Sequence, residues 1–148
     1  MFETVLIPTD GSDGVQRAIE AGLDVARRYD ATVHALSVID VAELIEVDYV
    51  GDRDYFEATI EPLEDEAKHA VRAVANRARE TDLEVLTVVR EGHPYETIVD
   101  YADEADVDLI VMGTHGRRGL PRYLLGSVTE RVLRTVDVPV MTVRMTED

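Results

Sequence analysis

Gly113, Gly116 and Gly126, with Ser127 directly after the last, are the residues whose types and spacing point most clearly to chemistry. They lie between an apolar strand-like run, Leu109 to Met112, and the start of a helical pattern. Glycines in such a loop let the backbone turn tightly and approach a ligand without Cβ atoms in the way. The helix behind them offers unpaired amides to an anion. The chemistry implied is a phosphate cradle, and a nucleotide is the ligand it suggests.

The elements that must hold this loop can be read from the pattern along the chain. Thr4 to Ile7 is a compact apolar strand ending at Pro8, and Asp10 to Gly14 form a turn. Val15, Ala18, Ile19, Gly22, Leu23 and Ala26 recur at helical spacing up to Tyr29. Thr32 to Ile39 reads as a second strand, and the acidic, aperiodic stretch Asp40 to Glu57 as a loop or lid. From about Ile60, Leu63, Ala67, Ala70, Val71, Val74 and Ala78 give a long helix, and Val85 to Val89 a third strand.

Gly92, His93 and Pro94 punctuate a helix carrying Ile98, Val99 and Ala102, followed by the Leu109 to Met112 strand. Ser127 to Glu130 reads as a capping box opening a helix with Val128, Val132, Leu133 and Val136, and Val138 to Val143 as the last strand. Strands alternating with amphipathic helices predict a doubly wound α/β fold: one domain over 1–148 with a five-stranded parallel sheet and helices on both faces. Pro139, near the start of the last strand, suits a sheet edge.

In open sheets of this kind, ligands bind beyond the carboxyl ends of the strands where the strand order reverses. Pro8, Thr9 and Asp10 end the first strand, and the glycine loop follows the fourth. If those strands are neighbours, the two loops face each other and make one site.

Composition bounds the rest. The 148 residues suffice for a core without staples, and the absence of cysteine removes disulfides, thiolate metal sites and a cysteine nucleophile. A formal charge of −16 argues against nucleic acid, whose binding relies on clustered Lys and Arg. Lys68 is the only lysine, and this acidic balance resembles that of a halophile's protein; an ordinary acidic domain is the alternative. No basic leader and no apolar run near the ~20 residues of a membrane span occur, so the expectation is a cytoplasmic protein without membrane attachment.

Gly113-x2-Gly116-x9-Gly126-Ser127 is similar to the G-x2-G-x9-G-[S/T] signature of ATP-binding universal stress proteins. The opening strand with Asp10, the Gly92-x-Pro94 element and the terminal Val138-Pro139-Val140 run strengthen the resemblance, which spans essentially the whole chain. It implies a Rossmann-like sheet of the adenine-nucleotide alpha-hydrolase kind, in strand order 3-2-1-4-5. It implies ATP held through Gly116, Gly126, Ser127 and Val128, with Thr129 close by, and Asp10 at the ribose or adenine side beside Pro8 and Thr9. Val38 would line the adenine pocket, Met112 and Gly113 would border the ribose, and His115 lies within reach of the nucleotide. It further implies a homodimer through the terminal strand, residues 138–144, and a nucleotide-dependent role in stress response with an unknown protein partner.

Each residue also has a plainer role: Ser127 as a helix cap, Gly113 and Gly116 as turn formers, Asp10 as a turn former or cap. Arg117, Arg118 and Arg122 bring positive charge to the loop and either meet phosphate or pair with the acidic surface. Mg²⁺ is expected with ATP, but the acidic stretch including Asp48, Asp52, Asp54 and Glu57 reads as a solvated face, and His34, His69 and His93 as structural or solvated. No protein ligand to a metal is assigned.

Enzymatic readings are weaker. A slow ATPase or related adenine-nucleotide enzyme needs positioned cations and a group that orients the nucleophile, and neither is plain. A Walker-type G-x4-G-K-[S/T] and a first-loop G-x-G-x-x-G are both missing. A phosphorylation-switched receiver domain lacks its acceptor Asp, because the third strand runs out in Arg90 and Glu91. The residues argue for holding ATP rather than splitting it, so no catalytic residue is named.

Overall fold

The computed structural model describes residues 1–12, 14–41, 53–114 and 125–144, with the backbone alone at 53–57 and 59. Its elements in chain order are β1 (Thr4–Pro8), α1 (Val15–Tyr29), β2 (Thr32–Asp40), α2 (Arg53–Glu80), β3 (Val85–Gly92), α3 (Pro94–Glu104), β4 (Leu109–Gly113), α4 (Ser127–Thr135) and β5 (Val140–Val143). The strands form one five-stranded sheet in the order β3-β2-β1-β4-β5, and every pairing is parallel. The expected doubly wound order is therefore present, with β5 and its flanking Pro139 at an edge.

Strand alternation assigns the helices to faces. Val5 and Ile7 of β1, Val33 and Ala35 of β2, and Leu109 and Val111 of β4 point to one side, where α1 and α2 bury Ile19, Leu23, Val71 and Val74. Leu6, Leu36, Ile110 and Met112 point to the other, against Ile98, Tyr101 and Ala102 of α3 and Val132 of α4. Both faces are dry, which is why these strands read as near-continuous apolar runs. Gly22 is where α1 comes closest to the sheet: a Cβ there would lie 2.7 Å from Ile7 Cδ1.

Three helix endings repeat one device. Asp30, Asp82 and Asp106 follow α1, α2 and α3 with φ of 53°, 58° and 51°. In each case the next amide reaches back five residues to an alanine carbonyl: Ala31 to Ala26 at 2.9 Å, Leu83 to Ala78 at 3.1 Å and Val107 to Ala102 at 3.0 Å. These are Schellman-type stops with aspartate in the left-handed position usually given to glycine, which aspartate tolerates better than most residues. The sequence pattern Ala-x3-Asp followed by an apolar residue thus ends each of these helices and launches the next strand.

Several boundaries differ from expectation. The loop or lid predicted over Asp40–Glu57 is shorter, because β2 includes Asp40 and α2 begins at Arg53; residues 42–52, with Asp48 and Asp52, lie outside the described residues. Pro62 sits inside α2, where it removes one amide and its i−4 bond, yet Ile60 and Ala67 on either side still bury against Ile39. That shared face carries the helix across a residue that normally stops one. β3 continues to Gly92 beside β2, whereas β5 begins only at Val140, after the Pro139 carbonyl accepts the Ile110 amide. In α4, Leu133 is exposed, and Thr129 takes the buried place that helical spacing had offered it.

A polar pair sits between β2 and α3. His34 Nδ1 lies 2.6 Å from the Tyr101 hydroxyl, and the Arg90 guanidinium of β3 stacks on the Tyr101 ring while bonding Glu104 at 2.8 Å. Burial holds the His34 imidazole below its ordinary value of 6.5 and pushes the Tyr101 phenol up. As pH falls, the unfolded chain takes up this proton first, so His34 withdraws stability from about pH 6.5 down to its lowered folded value. Urea midpoints should therefore fall between pH 7.5 and 5.5. A His34→Gln variant should show a shallower slope; an equal slope in both proteins would reject the assignment.

Candidate functional site

The site begins where β1 and β4 end side by side. Val5 pairs with Leu109 and Leu6 with Ile110, and continuing that register sets Pro8 level with Met112. β2 flanks β1 on the other side, with Pro8 opposite Leu36 and the Thr9 amide bonded to the Leu36 carbonyl at 2.8 Å. Val38 lies two residues beyond Leu36 on the same strand face. Val38, Met112 and Val128 all pack against the same core cluster under α3 and α4. Val38, expected at the adenine, Met112, expected at the ribose, and Val128, expected at the phosphates, thus share one apolar layer.

The turn after β1 is built by its own side chains. Thr9 Oγ accepts the Gly11 amide at 3.2 Å, and Asp10 Oδ1 accepts the Ser12 amide at 2.9 Å. Gly11 has φ of +77°, a conformation that favours glycine. Thr9 is buried, so it acts as a brace from within, and Asp10 has the turn-forming role its sequence context allowed. The Ser12 hydroxyl is buried with no hydrogen-bond partner among the described residues. A buried polar atom without a partner is costly, and its presence just beyond the carboxyl end of β1 is what a site shaped for a polar ligand can retain. Ser12 did not stand out in the sequence because Asp-Gly-Ser reads simply as a turn. Asp13 lies outside the described residues.

The amino end of α4 is brought to β4 by two bonds. The Gly126 amide donates to the Thr114 carbonyl at 2.6 Å, and Thr129 Oγ donates to the Gly113 carbonyl at 2.9 Å. Thr114 in turn donates its amide to the Val143 carbonyl at 2.9 Å, so the Gly113–Thr114 peptide, whose carbonyl accepts Thr129 and whose amide reaches Val143, ties β4, β5 and α4 together. The expected capping box is corrected here. Gly126 is the N-cap, Ser127 is the first helical residue, and no side chain among the described residues caps the helix. Glu130 pairs with Arg134 at 2.8 Å instead of reaching back. Glycine at the cap brings no side-chain oxygen of its own, and among the described residues no side chain takes up the first-turn amides of α4, where an anion is favoured.

His115, Gly116, Arg117, Arg118 and Arg122 lie outside the described residues, as does the loop between Thr114 and Leu125. Of the remaining expected residues, Pro8, Thr9, Asp10, Val38, Met112, Gly113, Gly126, Ser127, Val128 and Thr129 come together at the carboxyl ends of β1, β2 and β4. Among the described residues no three His, Asp or Glu side chains converge as a metal site, and no helix is long and apolar enough to cross a membrane.

Comparison with known proteins gives the same frame. Residues 1–144 match the model of the universal stress protein family. The universal stress protein MJ0531 of Methanocaldococcus jannaschii is 38% identical over 144 residues, covering 97% of this chain and 83% of that protein. The solved structure of MJ0577, a universal stress protein of the same organism, superposes with a TM-score of 0.87 at 30% identity, over 100% of this chain and 99% of the other. A universal stress protein solved in complex with cAMP gives a TM-score of 0.69 at 25% identity and covers 98% of both chains. This chain belongs to the universal stress protein family.

Proposed function

We propose that this protein binds ATP at the carboxyl end of its sheet and, as a homodimer, uses the bound nucleotide to regulate an unidentified protein partner in a stress response. The observation that carries the reading is the amino end of α4, without a side-chain cap among the described residues and held against the end of β4 by the Gly126–Thr114 and Thr129–Gly113 bonds. In this reading Gly116, Gly126, Ser127 and Val128 hold the phosphates. Met112 and Gly113 border the ribose, Asp10 with Pro8 and Thr9 meets the ribose or adenine side, Val38 lines the adenine pocket, and His115 approaches the nucleotide. Thr129 serves the site by fixing Gly113. The Ser12 hydroxyl, without a hydrogen-bond partner among the described residues, and the apolar layer shared by Val38, Met112 and Val128 suit a ligand with one flat apolar end and one anionic end.

Mg²⁺ would ride on the phosphate oxygens and water, as is usual for this ion with nucleotides. The solved relative in complex with cAMP supports an adenine nucleotide as the ligand class. We read the chain as one cytoplasmic domain, 1–148, from a halophile, with neither nucleic acid nor membrane as partner. Binding, not turnover, is the activity, since the single lysine, Lys68, lies on α2 away from this end of α4.

Calorimetry in molar KCl with Mg²⁺ should give saturable binding of one ATP per chain, with cAMP as the competing arm. Absence of binding heat, together with no nucleotide released on denaturing the purified protein, would abandon the ATP reading.

A further inference from the structure

We propose that the outer edge of β3 docks an extended segment of a partner protein, which joins the five-stranded sheet as a further strand and carries basic residues at both ends of an uncharged centre. The inference rests on the proposed function only for there being a protein partner, and it does not involve the nucleotide.

β3 ends the sheet order, with β2 as its one strand neighbour among the described residues. It runs in unbroken register with β2, from Val85 beside Val33 to Gly92 beside Asp40. The Val33 amide donates to the Glu84 carbonyl at 2.9 Å. Along a parallel ladder, successive residues turn their amide and carbonyl alternately to one neighbour and the other. The even-numbered residues of β3 therefore face β2. Val85, Thr87, Val89 and Glu91 turn their backbone groups outward, where no described strand meets them.

Edges are ordinarily blunted by brevity, proline, lysine or a bulge. β5, at the other edge, has four residues and follows Pro139. β3 has none of these devices over Val85 to Val89: the run is uncharged, largely β-branched and regular in register. Leu86, inside this strand, is 53% exposed. It borders a depression of about 440 Å³ that it shares with Thr32, Arg79, Leu83, Glu84 and Val85. Strand addition uses these features together: main-chain bonds supply affinity, and recesses for alternate side chains supply specificity.

Charge selects the occupant. Glu84 and Glu91 bracket the uncharged run, Glu80 and Asp82 precede it, and all four are exposed. Arg90 is engaged with Glu104 at 2.8 Å and with the Tyr101 ring, which leaves Arg79 as the other cation of segment 79–91. A second copy would bring the same carboxylates to the same edge, in a protein of net charge −16. A strand ending in Arg or Lys meets them with opposite charge. In molar salt only contact pairs escape screening, so these pairs act at the strand ends and not at a distance.

The test uses the intact protein in molar KCl without nucleotide, and a fluorescein-labelled peptide, Arg-Val-Thr-Val-Thr-Val-Thr-Val-Arg. Fluorescence anisotropy should saturate at one peptide per chain. Amide exchange read by NMR should be fast at Val85, Thr87, Val89 and Glu91 in the free protein and slow in the complex. The same peptide with glutamate at both ends should bind at least about tenfold more weakly, because like charges then oppose. The peptide N-methylated at every central residue, which removes its main-chain donors, should not bind. Thr87→Pro removes an outward amide and no bond to β2, so it should fold and lose at least about tenfold in peptide affinity. If it fails to fold, Glu91→Lys should shrink the preference for arginine ends by about tenfold.

Absence of saturable binding, undiminished binding of the N-methylated or glutamate-ended peptide, or slow exchange at the four amides in the free protein overturns the proposal. Wild-type affinity in folded Thr87→Pro, or an unchanged end preference in Glu91→Lys, does so as well. Self-association that Thr87→Pro abolishes assigns the edge to a second copy and overturns the occupant. Each of these results leaves ATP binding standing, and a protein that binds this peptide but no ATP loses the nucleotide reading alone.

Discussion

Replacing Ser127 with glutamate should remove most ATP binding while leaving the fold at least as stable. Ser127 is the first residue of α4 and makes no capping bond, so its loss removes no hydrogen bond from the helix. A carboxylate there faces the positive end of the helix dipole and gains about 0.3–1 kcal/mol. The same carboxylate stands where the proposed reading puts phosphate. A pair of like charges about 6 Å apart costs about 3 kcal/mol at an effective dielectric of about 20, and molar salt reduces that figure. Affinity for ATP should fall at least about tenfold, whereas Ser127→Ala should lose less because it adds no charge. Calorimetry reads the first effect and urea unfolding the second. Wild-type affinity in Ser127→Glu would show that phosphate does not sit at this helix end.

The largest expected loss of stability comes from Ile110→Ala. Ile110 is fully buried at the centre of β4, inside the cluster formed by Leu6, Leu36, Ile98 and Val132. Truncation there forfeits the transfer energy of the removed carbons and leaves a cavity between a sheet and two helices, at a cost of about 2–5 kcal/mol. Against a total of about 5–15 kcal/mol for a typical domain, that is a large fraction. The urea midpoint should drop with the slope unchanged, since the surface exposed on unfolding is nearly the same. A loss below about 1 kcal/mol would mean that the two layers close over the gap, contrary to the packing described.

The parts of this fold that the sequence discloses are those where burial and periodicity say the same thing. Val15, Ala18, Ile19, Gly22, Leu23 and Ala26 are the buried residues of α1, at the spacing that predicts them. The central strands are apolar throughout because both faces are covered, and parallel order follows from the crossovers. Misreadings arise where a local signal competes with a distant contact. The acidic stretch Asp40–Glu57 looks like a loop or lid, yet α2 already begins at Arg53. Ser127 looks like a cap until the Thr114 carbonyl, far from it in covalent terms, is seen to hold Gly126 one residue earlier.

The candidate site divides in the same way. Glycine spacing marks the end of α4, and the Pro8-Thr9-Asp10 run marks the end of β1, because both depend on local backbone demands. Ser12 and Thr114 are silent in the sequence. The significance of Ser12 lies in a partner it lacks among the described residues, and that of Thr114 in bonds made by its backbone, which any residue but proline could make.

The three aspartate helix stops all lie where a helix hands over to a strand, at the amino ends of β2, β3 and β4. The gathered crevice residues lie at the opposite ends of the strands. Chain reversal and the proposed ligand recognition therefore draw on separate residues at opposite poles of one sheet. Changes at Asp30, Asp82 or Asp106 act on how firmly the chain turns without touching what it holds, so selection can adapt this protein to a harsher solvent and to a new ligand independently.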